Sequence, residues 1–154
     1  LPLVAAGGIA SGRSILAAQS LGAEGVQIGT LFALSEESSA HAAFKEACVK
    51  SDEGDTILTL KELAPTRLLK NEFYQQVATL QARGASADEL RELLGRARAK
   101  RGIFEGDLDE GELEIGQVAA QIEEVQPVAQ IFDQLIAEYN AARAELIDMN
   151  WTNC

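Results

Sequence analysis

Residue types that commonly build catalytic, metal or disulfide sites are scarce in this chain of 154 residues. It has one histidine, one tryptophan and two cysteines, Cys48 and Cys154. Two cysteines cannot supply the set of bridges that stabilises small secreted domains, so we expect a reduced, cytoplasmic protein. A structural zinc site needs four ligands at ordered spacing, and the sequence offers no such set. It therefore predicts no metal site.

Positive charge and long apolar runs are also lacking. Lysine and arginine number 13 against 24 aspartates and glutamates, which gives a formal net charge of −11. Nucleic-acid binding depends on neutralising phosphates with positive side chains, so this balance argues against nucleic acid and against anionic membrane surfaces. No apolar run approaches the roughly 20 residues that cross a bilayer, and no secretory leader pattern is present. We expect neither a nucleic-acid nor a membrane partner.

The chain does carry two glycine turns near its beginning. Apolar runs at 3–6 and 26–28 each end in glycine, and a helical pattern over 11–21 separates them. This order predicts a strand, a helix and a second, parallel strand. Glycine lets backbone amides approach a ligand closely, and amides at helix N-termini bind anions. We therefore predict that one phosphate is held between the two turns, by Gly7, Gly8, Gly29 and the hydroxyl of Thr30.

The same pattern supplies only part of a barrel. A TIM (β/α)8 barrel needs eight strand–helix units and about 250 residues, whereas this chain opens on a strand and offers about two units. We predict an α/β fold: the C-terminal part of a TIM (β/α)8 barrel, comprising its last two strand–helix units, followed by a mostly helical C-terminal segment. The predicted divisions are residues 1–60 for the barrel units, 61–125 for a helical segment with an acidic loop, and 126–154 for a C-terminal helix and tail.

Capping signals and breaks place the later elements. Ser86 with Glu89 forms a capping box that opens a helix ending in basic residues near 101. The other predicted helices are 40–50, capped by Ser38 or Ser39, then 71–83, 112–124 and 127–148, with a short extended piece at 56–60.

Three further features invite chemical roles. His41, the only histidine, has no triad or metal spacing around it, which favours a structural or surface role. The acidic loop 105–114 lacks an oxygen donor in the EF-hand register and is predicted to be a solvated acidic face. Arg67, Lys70 and Asn71 either touch a cofactor or an acidic carrier protein, or pin the C-terminal helices to the barrel.

Two stretches, Ala5-Ala-Gly-Gly-Ile-Ala-Ser-Gly-Arg and Leu21-Gly-Ala-Glu-Gly-Val-Gln-Ile-Gly-Thr-Leu-Phe, carry a family resemblance. They resemble the last two barrel units of the nitronate monooxygenase (2-nitropropane dioxygenase) flavoproteins, a family that includes the type II, flavin-dependent enoyl-acyl-carrier-protein reductases. Inosine-monophosphate dehydrogenases carry similar turns, but the ordered later segments make the likeness more specific. These segments are 38–45, 66–73, 103–107 and 114–119.

The resemblance implies an FMN whose phosphate rests on the two glycine turns. It also implies that Gly116 and Gln117 lie on a C-terminal segment folded back near the flavin, although a helix start with a solvated amide is an equal interpretation. The catalytic histidine of this family lies upstream, and no residue here matches its motif, so no catalytic residue is predicted.

The function implied is FMN-dependent oxidation of nitronates with oxygen. The alternatives are an NAD(P)H-dependent enoyl-acyl-carrier-protein reductase, a barrel dehydrogenase that binds a nucleoside monophosphate, and an inactive truncated fragment. A small-molecule substrate, an acyl carrier protein and a second copy of the chain are the partners considered.

Overall fold

The computed structural model describes residues 1–149, and the predicted tail beyond them, with Cys154, lies outside this range. The described part combines four short strands with seven α-helices and one 3₁₀ helix. In chain order these are β1 (Val4–Ala6), α1 (Gly12–Ser20), β2 (Gly25–Gln27), α2 (Thr30–Ala33), α3 (Ala42–Val49), β3 (Thr56–Thr59), β4 (Thr66–Leu69), α4 (Glu72–Ala82), α5 (Ala87–Leu94), α6 (Arg98–Glu105), the 3₁₀ helix (Gln117–Gln121) and α7 (Val128–Asp148).

The first three elements form the parallel unit that the sequence predicts. β1 and β2 pair in parallel, with Ala5 opposite Val26, and α1 connects them. The last helix, α7, packs along α1. Gly12 permits this contact, because a Cβ there would overlap the backbone of α7 at Tyr139. The Gly12 N–H donates to the Glu138 carboxylate at 2.8 Å. Residues 28–127 therefore form an excursion, which begins after β2 and ends where α7 packs along α1.

Within the excursion, the sheet is larger than the sequence predicts. β3 and β4 pair antiparallel, and the segment 113–115 adds to β4: the Leu69 N–H donates to the Leu113 carbonyl and the Ile115 N–H to the Arg67 carbonyl. The predicted helix over 112–124 is therefore wrong. Leu113 and Ile115 are buried on either side of the exposed Glu114, which is the two-residue period of a strand.

Two helix boundaries also differ from the predictions. The single helix expected from Ser86 to about 101 is two helices, α5 and α6. Gly95 and Ala97 have φ angles of +65° and +60°, which interrupt the helix between them. The Ser86–Glu89 capping box is confirmed. α3 is capped by His41, whose Nδ1 accepts the Ala43 N–H at 3.2 Å, and not by Ser38 or Ser39.

A buried lysine fixes the loop that follows α2. The Lys45 ammonium donates to the backbone carbonyls of Ser35, Glu36 and Ser38 at 2.6, 3.2 and 2.8 Å. The Glu37 carboxylate in the same loop accepts the Val128 N–H at 2.9 Å. This loop consequently joins α2 and α3 to the first turn of α7.

Two apolar clusters hold the excursion together, one under α3 and one between the hairpin and α4–α5. The first is centred on Leu34, Phe44, Cys48, Leu113 and Ala119, and the second on Leu60, Leu68, Phe73, Val77 and Leu90. Across residues 1–149, no helix has both the length and the apolar character needed to cross a membrane. The cytoplasmic location, the domain divisions and the homodimer stay predictions.

Candidate phosphate-binding site

The two glycine turns line one shallow cavity of about 250 Å³, named here the glycine cavity. Gly7 and Gly8 have φ angles of +93° and +70°, which is the left-handed region that favours glycine. They turn the chain from the end of β1 towards α1, beside the end of β2. Lining residues of this cavity are Ala6, Gly7, Gly8, Ile9, Gln27, Gly29, Thr30, Gly116 and Val118.

Several backbone donors at this cavity are available. The N–H groups of Gly8, Gly29 and Thr30 form no hydrogen bond to any acceptor within residues 1–149. Unsatisfied backbone donors of this kind are ordinarily paired with water or a ligand. None of the side chains that line the cavity is acidic, so no carboxylate lines the space that an anion would occupy, despite the net charge of the chain.

Thr30 forms a hydrogen bond with the segment 114–116, which is named here the returning segment. Its Oγ1 accepts the Gly116 N–H at 3.2 Å. A hydroxyl that accepts one hydrogen bond still has its own proton to donate, so this contact leaves Thr30 able to serve an anion as a donor. Gly116 must lack a side chain, because a Cβ there would lie 2.5 Å from Thr30 Oγ1. The absence of a side chain at Gly116 therefore lets the returning segment lie close to Thr30 and the cavity.

Gly29 differs from Gly116 in having room around it. Its φ is −99°, which any residue adopts, and a Cβ at this position would meet nothing within 4 Å. Neither backbone conformation nor packing within the described residues therefore requires glycine at position 29.

Five of the six predicted site residues thus lie together, and the sixth does not line the cavity. Gln117 is exposed at the start of the 3₁₀ helix, and Val118 lines the cavity in its place. Ile9 also lines it. Sequence reasoning missed both apolar residues, although each stands one or two positions after a predicted site residue.

The remaining candidates have structural partners. The ring of His41 lies against Gly106, where a Cβ would overlap it. In the acidic loop, the Glu110 N–H and Arg101 lower the pKa of Asp107, and Arg98 pairs with Glu110 at 3.1 Å. Among residues 1–149, no group of three or more histidine, cysteine, aspartate or glutamate side chains is arranged to hold a metal.

Cys48 is not an accessible nucleophile, because it is fully buried and desolvation raises the pKa of its thiol to about 12. Asn71 connects β4 to the acidic loop: its Nδ2 donates to the carbonyls of Leu108 and Gly111, each at 2.8 Å. Asn71 is predicted either to touch a cofactor or carrier protein or to connect parts of the chain. In the structure it connects parts of the chain.

Comparison with known proteins gives a consistent result. The family model for nitronate monooxygenase matches residues 1–138. Proteins described as probable nitronate monooxygenases from Staphylococcus saprophyticus and Staphylococcus haemolyticus are 46% identical over 78 residues and 49% identical over 76 residues. Those segments cover 50% and 49% of this chain but only 22% and 21% of the relatives.

Solved structures extend the likeness across the chain. FabK from Thermotoga maritima matches 96% of it with a TM-score of 0.87 and 36% identity, and nitroalkane oxidase from Streptomyces ansochromogenes matches 95% with a TM-score of 0.70 and 32% identity. The chain spans 47% and 41% of those two proteins. Together with the match of the family model over residues 1–138, these similarities establish that the chain belongs to the nitronate monooxygenase family.

Proposed function

We propose that this chain is the phosphate-binding part of an FMN-dependent oxidoreductase of the nitronate monooxygenase type. The observation that carries the proposal is the glycine cavity, where the unpaired N–H groups of Gly8, Gly29 and Thr30 meet without an acidic side chain. In this proposal, the β1–α1–β2 unit and α7 are the last two strand–helix units of a TIM barrel, whose ligands bind at the C-terminal ends of the strands.

The fit to FMN rests on the terminal phosphate. A phosphate monoester presents several acceptor oxygens, and backbone N–H groups together with a hydroxyl complement them. The Thr30 hydroxyl donates to the phosphate while its oxygen keeps the Gly116 N–H, so one residue links the cofactor to the returning segment. Gly7 and Gly8 keep the turn free of side chains.

Bound FMN supplies the electron-accepting chemistry, and the protein supplies binding, orientation and electrostatics. The residues of this chain anchor the phosphate end and thereby fix where the ring system lies. We assign no acid or base to this chain, in keeping with the family resemblance, which expects the catalytic histidine upstream.

A second function has its own support. FabK from Thermotoga maritima resembles this chain over nearly its full length with a TM-score of 0.87, against 0.70 for nitroalkane oxidase. We therefore propose, as the alternative function, that the same flavin site reduces an enoyl thioester with NAD(P)H.

The first experiment is the visible absorbance spectrum of the purified full-length protein, with mass analysis of whatever it releases on denaturation. A flavin band and released FMN support the cofactor. Oxygen consumption with an alkyl nitronate then supports the monooxygenase, whereas NAD(P)H oxidation that depends on an enoyl thioester supports the reductase. A colourless, folded protein contradicts both and favours a nucleoside monophosphate as ligand, or an inactive fragment if it binds nothing.

A further inference from the structure

A second cavity of about 420 Å³ adjoins the glycine cavity. The two cavities share Gly29, Thr30 and Gly116, and the walls of the second are β4 and the segment 114–116. We name it the Arg67 groove, after the one cationic side chain that lines it. Its polar and charged lining residues are Thr30, Thr66, Arg67 and Glu114.

Arg67 is held rigidly but keeps donors to spare. Its Nη1 donates to Thr56 at two points, 3.0 Å to Oγ1 and 3.3 Å to the carbonyl. Its own carbonyl accepts the Ile115 N–H, so the backbone of β4 is fixed as well. The hydrogen bonds within residues 1–149 leave Nε and Nη2 without a partner. An arginine has five N–H donors in a planar fork, and a fork held at one end is ordered before any ligand arrives.

The charge of Arg67 is also uncompensated at close range. Seven other basic side chains in the described range pair with a carboxylate within 4.0 Å, but Arg67 forms no such pair there. In a chain with a net charge of −11, a half-buried arginine that lines a cavity and has no carboxylate partner is suited to an anion from outside the chain.

Glu114 determines what kind of anion fits. It is exposed on the wall formed by the returning segment and lines the same groove. A carboxylate there disfavours a ligand that carries negative charge alone. It favours a ligand with hydroxyl or amide donors close to its charged group, because each such donor pairs with the carboxylate oxygens.

We propose that the Arg67 groove binds the phosphate-bearing part of an extended substrate or electron donor, with Arg67 on the phosphate and Glu114 on neighbouring hydroxyl or amide groups. The proposal rests on the proposed function, because the groove opens beside the cavity assigned to the flavin phosphate. The pyrophosphate and ribose of a nicotinamide dinucleotide fit this chemistry, as do the phosphate and amides of a phosphopantetheine thioester. A small alkyl nitronate has no group for the groove.

The test compares Arg67→Met and Arg67→Lys in the flavin-loaded full-length protein, with Lys61→Met on the exposed hairpin loop as the matched control. Loss of a hydrogen bond between charged groups predicts a rise of about tenfold or more in the KM for the phosphate-bearing molecule with Arg67→Met. We expect partial recovery with Arg67→Lys, no change with Lys61→Met, and a nitronate KM that stays within about twofold.

Separate assays with NAD(P)H and with an enoyl phosphopantetheine thioester distinguish the two sources of phosphate. Thr56→Val removes the Oγ1 contact and keeps the cation, so a smaller rise in the same KM is expected. If Arg67→Met does not retain flavin, the inhibition constant of inorganic pyrophosphate is compared between the wild type and Thr56→Val. Weaker inhibition of Thr56→Val supports the proposal, and equal inhibition contradicts it.

Three outcomes overturn the proposal for the groove. The first is an unchanged KM for both phosphate-bearing molecules, and the second is binding of neither of them in a yellow, folded protein. The third is an equal rise in the nitronate KM, since that indicates general damage to the flavin site. A colourless wild-type protein contradicts the proposed function itself, so the two failures are distinguishable.

Discussion

The substitution Gly29→Ala separates ligand binding from folding at the glycine cavity. A Cβ at Gly29 meets nothing within 4 Å, and the backbone there has a φ of −99°. The protein alone therefore has no reason to reject alanine, and its free energy of unfolding should change by no more than about 0.5 kcal/mol. A phosphate that lies against this backbone would be displaced by the added methyl group.

The size of the effect follows from the donors involved. Displacing the phosphate weakens at least one hydrogen bond from a backbone N–H to a charged oxygen, which contributes about 1.5–3 kcal/mol. We therefore expect the Kd for FMN to rise by roughly 10- to 100-fold. Titration of FMN fluorescence with deflavinated protein measures the Kd, and thermal unfolding without FMN measures stability.

Gly25→Ala is the matched control. Gly25 begins β2, the strand that precedes Gly29, and a Cβ there meets only Val4 Cγ2 at 3.8 Å, outside the cavity, so neither Kd nor stability should change. Gly116→Ala should lower both the stability of the protein and its affinity for FMN, since the added Cβ would lie 2.5 Å from Thr30 Oγ1. An unchanged Kd in Gly29→Ala would refute the assignment of the phosphate to this turn.

Three further predictions concern stability and are checked by thermal or urea unfolding. Gly12→Ala forces α1 away from Tyr139 on α7 and should lower the free energy of unfolding by about 2–4 kcal/mol; a loss under 1 kcal/mol would contradict the close helix contact. Lys45→Met leaves the buried Ser35 carbonyl and the partly buried Glu36 and Ser38 carbonyls without a donor and should cost about 3 kcal/mol, and a neutral result would mean that water replaces the ammonium. Burial, and secondarily a neighbouring carboxylate, raise the pKa of Glu112 from 4.5 to about 7, so stability should fall as pH rises between those values and Glu112→Gln should restore up to roughly 3 kcal/mol at pH 8 but little at pH 4. Exposed Glu123→Gln is the control for that series, and equal effects of the two variants at pH 8 would contradict the burial argument.

The local parts of the fold could be predicted from the sequence because their signals are local. Gly7 and Gly8 mark a turn that requires positive φ angles, and the Ser86–Glu89 box marks a helix start. Each signal acts within four residues, so the pattern alone was enough to place the parallel unit and most helix starts.

The errors lie where distant residues decide the structure. Residues 113–115 are extended because β4, more than 40 positions earlier, supplies the pairing partner; a window over 112–124 contains only the alternation of Leu113 and Ile115 around an acidic residue. The contact between Thr30 and Gly116, 86 positions apart, likewise leaves no trace in spacing. The prediction that Gly116 lies at the site came from the family resemblance and not from a pattern in the residues themselves.

The excursion between β2 and α7 has a consequence for how the chain folds. The contact of Gly12 with Glu138 joins positions 126 apart, and an open loop of that length is entropically costly to close before the contact contributes any stability. The Glu36 N–H, however, donates to the Gln126 carbonyl at 2.9 Å, so residues near the two ends of the excursion are in direct contact. Once the two apolar clusters of the excursion have formed, the effective loop that must close for α7 to reach α1 is short. α7 should therefore dock late, and its amides should exchange hydrogen before those of the excursion cores.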